Sequence, residues 1–327
     1  MNRPRVVFFG SPAFAVPSLR RLVQGGGGER VDVCGVVTQP DRPAGRGQAV
    51  TEPAVKAAAR ELLPGVVVLQ PEKIRTGEFE ARLRQLGADL FVVVAYGRIL
   101  PQSILDVPRL GPWNVHASLL PRWRGAAPIQ WSVIAGDPET GVSIMRMEAG
   151  LDTGPVAAVA RTPIGEDETA GTLAVRLAEL GADLLVDTLP AIIHSDGDAG
   201  AALEIQDETR ATVARLLTKE DGNLDFGQPA RAVAVRARGV DPWPGAYTLL
   251  DGAPVKLFGA RALAAPGGGA PAAAPGTVLA IDGAGLRVAC ADGAVAFAEV
   301  QLPGRKRLPA AVVATGRSIA VGARLGG

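Results

Sequence analysis

Cysteine and histidine are scarce, with two of each in 327 residues. Cys34 and Cys290 lie far apart with no second cysteine or histidine beside either, which excludes a disulfide framework and a Cys/His zinc site. Both read as buried thiols in a reducing compartment. Long apolar runs are missing as well, and nothing approaches the length needed to span a bilayer. The run Val6-Val7-Phe8-Phe9 is cut off by Gly10-Ser11-Pro12, as in a buried strand rather than a signal peptide. A soluble cytoplasmic protein is expected. Net charge is only +1, but it is unevenly spread: residues 1–206 carry 20 basic against 23 acidic side chains, and residues 228–327 carry 11 against 5. The C-terminal third is therefore the part that can meet a polyanion.

What is present is apolar residue, 47% of the chain, enough for two cores at this length. Runs at 5–9, 31–38, 66–69 and 90–95 are apolar throughout rather than at alternate positions, the pattern of a parallel sheet covered on both faces. Helical patterns lie between them. Ser11 is placed to cap a helix starting at Pro12, Thr51 one running to about Leu63, and a helix over 78–86 stops at Gly87. The fold class expected is α/β, with a doubly wound, mostly parallel sheet. Gly10-Ser11-Pro12-Ala13 has too few glycines for a dinucleotide fingerprint. The run Gly25-Gly26-Gly27-Gly28 follows a helix and precedes a strand, so it reads as a flexible loop at the edge away from ligands. Further on, a short helix (129–135), two strands (140–148 and 156–162) and a helical stretch (169–193) interrupted at Gly181 and Pro190 are expected. His194 follows as an exposed residue.

From Ser195 the pattern breaks into a linker reaching about Thr212. This divides the chain into a catalytic domain (1–194), a linker (195–212) and a C-terminal domain (213–327). A helix is expected over 230–238, and short strands then turn at Asp251-Gly252, Asp282-Gly283 and Asp292-Gly293. Such strands suit a small β-barrel, with the Ala/Gly/Pro-rich stretch 264–276 as a long loop.

One stretch combines the rare residue types. In Trp113-Asn114-Val115-His116-Ala117-Ser118 an extended segment places Asn114 and His116 on one face, because residues two apart in a strand point the same way. An amide donor and an imidazole facing one reactant can stabilise and protonate an oxygen that gains charge. The segment then enters a loop, Leu119-Leu120-Pro121-Arg122-Trp123-Arg124-Gly125-Ala126-Ala127-Pro128.

The wording Ser-Leu-Leu-Pro-Arg-Trp-Arg-Gly-Ala-Ala-Pro resembles the signature of the folate-dependent formyltransferases, and within them the branch acting on initiator tRNA. Gly150-Leu151-Asp152-Thr153-Gly154 resembles the family's catalytic aspartate segment, and Gln39-Pro40-Asp41-Arg42-Pro43-Ala44-Gly45-Arg46-Gly47 is similar to its tRNA-side loop. The resemblance covers nearly the whole chain. It implies transfer of the formyl group of 10-formyltetrahydrofolate to the α-amine of methionine on initiator methionyl-tRNA, with no metal, through a tetrahedral oxyanion. It implies that Asn114 donates to that oxyanion, that His116 assists as donor or acid, and that Asp152 orients His116 and helps accept the amine proton. The folate is expected against Ser118, Leu119, Leu120 and Pro121, and against Tyr96 and Gly97. The tRNA is expected against Arg42 and Arg46, Arg231, Arg236 and Arg238, and Arg305, Lys306 and Arg307, with an OB-like barrel as the C-terminal domain and a monomer as the working state. Gln48 and Ala49 depart from the family's more basic loop, and Ser11 replaces its commoner threonine. Two other readings remain open here: a formyltransferase acting on a small amine or a hydrolase of the formyl-folate itself, and an RNA-binding protein without catalysis.

Overall fold

The structure, a computed structural model, describes residues 3–24, 30–44, 49–195, 203–264, 273–315 and 319–326. It divides into two compact units, one of Met1–Pro128, Thr140–Thr162 and Ala174–Ala214, the other of Ile129–Glu139, Pro163–Leu173 and Arg215–Gly327. Arg46, Gln48 and the run Gly25-Gly26-Gly27-Gly28 lie outside the described residues.

In chain order the first part holds β1 (Arg5–Gly10), α1 (Val16–Gln24), β2 (Asp32–Val37), the antiparallel pair β3 (Arg42–Ala44) and β4 (Ala49–Thr51), and α2 (Ala54–Leu62). It continues with β5 (Val67–Leu69), α3 (Gly77–Gln85), β6 (Leu90–Val94), α4 (Gln102–Leu105), β7 (Pro112–His116) and β8 (Arg124–Gly125). Then come α5 (Pro128–Ile134), β9 (Glu139–Arg146), β10 (Val156–Pro163), α6 (Ala170–His194) and β11 (Val213–Ala214). The main sheet has the order β10-β9-β7-β6-β1-β2-β5. Strands β7, β6, β1, β2 and β5 run parallel, and β9 is antiparallel to β7. At the end of the sheet β5 is only partly covered, Val67 being 43% exposed. The apolar runs of β1 and β6 bury both faces: every residue of β6 is buried, and Val6, Val7, Phe8 and Phe9 are fully so. Each such side chain contributes about 1.5–3 kcal/mol relative to exposure. Because β6 and β7 are parallel neighbours, the loops that follow them emerge at the same edge of the sheet, where open α/β sheets bind ligands.

Several local expectations change. Ser11 caps no helix: its hydroxyl donates to the Tyr96 carbonyl at 3.5 Å and accepts from the Gln39 amide at 3.0 Å, tying loops at the carboxyl edge together. Thr51 ends β4, and α2 starts behind Pro53 without a side-chain cap. Thr76 is a true cap, accepting from the Phe79 amide at 3.3 Å. Helix α6 runs unbroken through Gly181 and Pro190. Its Leu177, Ala182, Leu185, Leu189 and Ile192 are buried, and that tertiary burial outweighs local propensity. Gly181 allows close packing on the sheet, since a Cβ there would lie 2.8 Å from Val115.

The stretch expected as a linker is partly built into the first unit. Val156 and Glu204 form a β-bridge, Glu208–Arg210 is a 3-10 turn, and β11 pairs in parallel with β8.

In the second unit α7 (Ala230–Gly239) is followed by β12 (Tyr247–Leu250), β13 (Ala253–Ala264), β14 (Val278–Asp282), β15 (Gly285–Ala289), β16 (Gly293–Gln301), β17 (Leu308–Pro309) and α8 (Ala310–Thr315). The strands form an antiparallel sheet of order β12-β13-β16-β15-β14, with β17 added to β16. Asp251 (φ 51) and Gly252 (φ 77) both adopt left-handed backbone between β12 and β13, as a tight hairpin turn requires. Asp292, at the turn before β16, accepts from the Ala230 amide at 2.7 Å and so closes the start of α7.

Asp221 anchors this unit. Its carboxylate accepts from Arg215 at 2.6 and 2.7 Å and from the Thr218 amide at 2.7 Å, and lies 3.6 Å from Arg236. The Arg215 hydrogen bond is the main reason its pKa falls to about 2. A carboxyl held below its unfolded value, about 3.9, stabilises the fold fully above that value and loses the contribution as pH falls through the folded one. Between about pH 4 and pH 2 the melting temperature of the protein should therefore drop more steeply than that of Asp221→Asn. Parallel curves in thermal scans would remove Asp221 from the acid response.

Candidate active site

The site begins where β7 ends. Asn114 is opposite Val93 of β6 and Met145 of β9, and His116 is opposite Ser143, so the strand presents both on one face as its alternation requires. Asn114 is half-buried, and among the described residues its amide has no hydrogen-bond partner. His116 is buried, 5% exposed.

The loop after β7 folds back onto that histidine. Ser118 donates to the Arg122 carbonyl at 2.6 Å, and Ser143 donates to the Ser118 carbonyl at 2.7 Å while accepting from the Leu120 amide at 3.2 Å. Trp123 takes a left-handed backbone, φ 62, which is strained for a bulky side chain. Two bonds hold it there: its amide donates to Thr212 Oγ1 at 2.9 Å, and its carbonyl lies 3.0 Å from His116 Nε2. A carbonyl only accepts, so Nε2 carries a proton. The nitrogen left for exchange is Nδ1, and it faces Asp152 Oδ2 at 3.6 Å.

Asp152 is itself left-handed, φ 54, in the turn between β9 and β10. Its Oδ2 accepts from the Gly125 amide at 2.8 Å. Its carbonyl accepts from Gln206 Nε2 at 2.8 Å, and the same nitrogen reaches the Gly154 carbonyl at 2.6 Å. Gln206, 7% exposed, uses its oxygen to accept from Arg124 Nε at 3.0 Å. Arg124, 6% exposed, closes a bidentate pair with Glu208 at 2.7 and 2.8 Å. The Arg124 guanidinium holds the Glu208 carboxyl below its usual range, and Glu208 raises Arg124 in turn, assisted by the charge of Asp152. Sequence reading missed this support because Gln206 and Glu208 sit in a stretch read as linker; a glutamine and a glutamate after an apolar break carry no motif.

The positions expected to meet folate differ among themselves. Tyr96 turns inward: its ring is 2% exposed, packs edge-on against Phe9 at 5.5 Å, and its hydroxyl is buried without a partner among the described residues. Desolvation pushes its pKa to about 12. Its carbonyl is also engaged, accepting from Gln39 Nε2 at 3.0 Å. Gly97, left-handed at φ 81, has open space where a Cβ would stand, and Ile99 beyond it is exposed. Leu119, Leu120 and Pro121 are half-buried at the same sheet edge, while Ser118 is fully buried.

Of the basic residues, Arg42, Arg231, Arg305, Lys306 and Arg307 are exposed. Arg236 is half-buried between Asp221 and the Trp131 ring, 5.9 Å from its centroid. Arg307 pairs with Glu299 and stacks 4.0 Å over Phe258. Two nitrogens of Arg238 are buried without partners among the described residues, and desolvation lowers its pKa. These three also interact within their own unit, and none is fully buried. Among the described residues no cluster of three or more His, Cys, Asp or Glu side chains could hold a metal ion, and no helix is long and apolar enough to cross a membrane.

A family model described as formyl transferase matches residues 4–189, and one described as formyl transferase, C-terminal domain, matches residues 216–318. The chain belongs to the formyl transferase family. It is 48% identical over 323 residues to the methionyl-tRNA formyltransferase of Sorangium cellulosum, covering 98% of this chain and 99% of that one. It is 50% identical over 322 residues to the same enzyme of Thiobacillus denitrificans, with the same coverage. In fold it is similar to the sugar 3N-formyl transferase WlaRD, solved in the presence of dTDP and 5-N-formyl-THF, at TM-score 0.65 and 15% identity over 94% of this chain and all of that one. It is also similar to HypX of Aquifex aeolicus in complex with tetrahydrofolic acid, at TM-score 0.62 and 17% identity over 98% of this chain and 48% of that one.

Proposed function

We infer that this protein transfers the formyl group of 10-formyltetrahydrofolate to the α-amine of methionine on initiator methionyl-tRNA, yielding N-formylmethionyl-tRNA for translation initiation. One observation carries the acceptor: relatives named for that reaction match the chain at 48–50% identity across 98% of its length, both units included. A small-amine formyltransferase would leave the basic excess of residues 228–327 without a purpose. Charged initiator tRNA is cytoplasmic, and the protein works there, as a monomer.

The folate fits the carboxyl edge of the sheet. Half-buried Leu119, Leu120 and Pro121 and exposed Ile99 offer apolar surface, and the open space at Gly97 admits close approach of a flat ring. When bound, the donor supplies an electrophilic formyl carbon whose oxygen gains charge as the amine attacks. Asn114 donates to that oxygen through a side-chain amide that has no partner among the described residues. His116, fixed by the Trp123 carbonyl at Nε2, works through Nδ1, as imidazolium donor beside the same oxygen. Asp152 stabilises that imidazolium from 3.6 Å and accepts the amine proton through water. The tetrahedral intermediate then collapses, the bond from the formyl carbon to folate N10 breaks, and tetrahydrofolate leaves with a proton on that nitrogen. The test is to mix purified protein with 10-formyltetrahydrofolate and methionyl-initiator tRNA, with uncharged tRNA and glycinamide ribonucleotide as controls. N-formylmethionine in the first mixture alone supports the reading; transfer to glycinamide ribonucleotide at a similar rate overturns it.

The tRNA is held through its phosphates by exposed cations, and Arg231, Arg305, Lys306 and Arg42 remain the best candidates. The triple variant Arg231→Ala/Arg305→Ala/Lys306→Ala should raise the tRNA KM with turnover at saturation nearly unchanged. Its log–log salt slope should shrink by about 1 for each phosphate contact removed. Unchanged slopes between low and physiological salt would place the contacts elsewhere.

A further inference from the structure

We propose that Gln206 is the positioning residue of Asp152, and that the segment around it, through Arg124 and Glu208, belongs to the reaction machinery rather than to a tether. The inference rests on the catalytic reading of Asp152. Neither family model covers this segment, since one ends at residue 189 and the other starts at 216.

The geometry is specific. Asp152 must hold a left-handed backbone while its carboxylate faces His116, a conformation that its own sequence, Gly150-Leu151-Asp152-Thr153-Gly154, does not enforce. The Gln206 amide nitrogen has two hydrogens, and they go to the carbonyls of Asp152 and Gly154 at 2.8 and 2.6 Å, bracketing the turn from both sides of Thr153. The other end of the amide is fixed by Arg124 at 3.0 Å, so the side chain cannot flip without placing its nitrogen against a cation. Arg124 is in turn clamped by Glu208. The next residue, Gly125, gives its amide to Asp152 Oδ2, so the same strand supports the carboxylate directly and its backbone indirectly. Strands β8 and β11 lock the arrangement, since Ala214 accepts from Ala126 at 2.9 Å and Thr212 from Arg124 at 2.8 Å. Every group in the chain from Glu208 to Asp152 is therefore partnered, and the buried members, Arg124 and Gln206, have no alternative among the described residues.

Gln206 touches no reacting atom in this scheme; it acts only through Asp152. Removing its two donors frees the turn, and displacement of a catalytic group by about 1 Å costs on the order of 100-fold. The experiment measures kcat and both KM values for Gln206→Leu, Gln206→Glu, Asp152→Asn and the double variant Asp152→Asn/Gln206→Leu, with a thermal melt of each. The expected result is a 10- to 100-fold loss of kcat in Gln206→Leu, on the scale of such displacements, with both KM values within about 3-fold. Gln206→Glu keeps the shape and the Arg124 contact yet turns acceptors toward two carbonyls, so it should lose as much, and it decides the matter if the leucine variant does not fold. The double variant should be no slower than Asp152→Asn alone, because the residue that Gln206 positions is already disabled. Turnover of Gln206→Glu within 2-fold of the parent, or losses that multiply in the double variant, would overturn the proposal. Full activity in Asp152→Asn itself would instead overturn the catalytic reading on which it rests.

Discussion

His116→Ala is expected to lower turnover by about 10²- to 10⁴-fold, the range of a lost general acid or base, with Asp152→Asn in the same range. Asn114→Ala should cost about 10²- to 10³-fold, as for other single oxyanion donors. In all three the KM values should stay within a few-fold, because the lost interactions form in the transition state. His116 needs a control for structure as well as chemistry, since truncating a residue 5% exposed leaves the Trp123 carbonyl without its donor. His116→Gln can keep a donor to that carbonyl while lacking an imidazole; it should melt closer to the parent than alanine does and turn over as poorly. The pair is also expected to be non-additive: with His116 gone, Asp152→Asn should add less than it does alone, because Asp152 no longer has an imidazolium to stabilise. Rates within 5-fold of the parent in both His116→Gln and Asp152→Asn, measured as N-formylmethionine formed under single turnover, would remove the pair from the chemistry.

The sequence was most readable where one physical demand dominates. Short continuous apolar runs bounded by turn residues suit buried strands, so β1, β2 and β6 were visible, and β5 was found as a strand although its edge position leaves it half exposed. The Asp-Gly at 251–252 supplies the two left-handed residues that its hairpin needs. The alternation that aligns Asn114 with His116 was likewise local. Features set by distant partners were invisible. Ser11 has the right chemistry for a helix cap, but Tyr96 and Gln39, remote in sequence, claim its hydroxyl. Gly181 and Pro190 are local helix breakers overruled by burial on the sheet. Charge counts cannot see that Arg236 faces Asp221, that Arg307 pairs with Glu299, or that Arg238 is desolvated. Gln206 is the most instructive case, because its role exists only once β11 has paired with β8 and brought residues more than eighty positions apart into contact.

The glycines flanking Asp152 give the other large effect, and for a reason different from the one their spacing suggests. A bracketing Gly-Leu-Asp-Thr-Gly reads as a turn whose glycines supply left-handed backbone. In the structure the left-handed residue is Asp152, and Gly154 is required by close approach: a Cβ there would sit 1.9 Å from the Arg146 carbonyl oxygen and 3.5 Å from the Glu148 side chain. No rotamer relieves a clash with backbone. Arg146 is the last residue of β9, and its amide donates to the Pro155 carbonyl at 2.9 Å, so moving it pulls on both arms of the loop that carries Asp152. Gly154→Ala is therefore expected to destabilise the protein by several kcal/mol, among the larger effects of single substitutions. The turn should also move by about 1 Å, lowering kcat by about 100-fold in whatever fraction folds. Gly252→Ala is the matched comparison. It is left-handed at φ 77 but has nothing within 4 Å of the new Cβ, so only the backbone penalty of about 1–2 kcal/mol applies, and turnover should be unchanged. Denaturant melts and kcat for the two variants separate the causes: if Gly154→Ala melts and turns over like Gly252→Ala, the close approach to Arg146 is not what fixes the Asp152 turn.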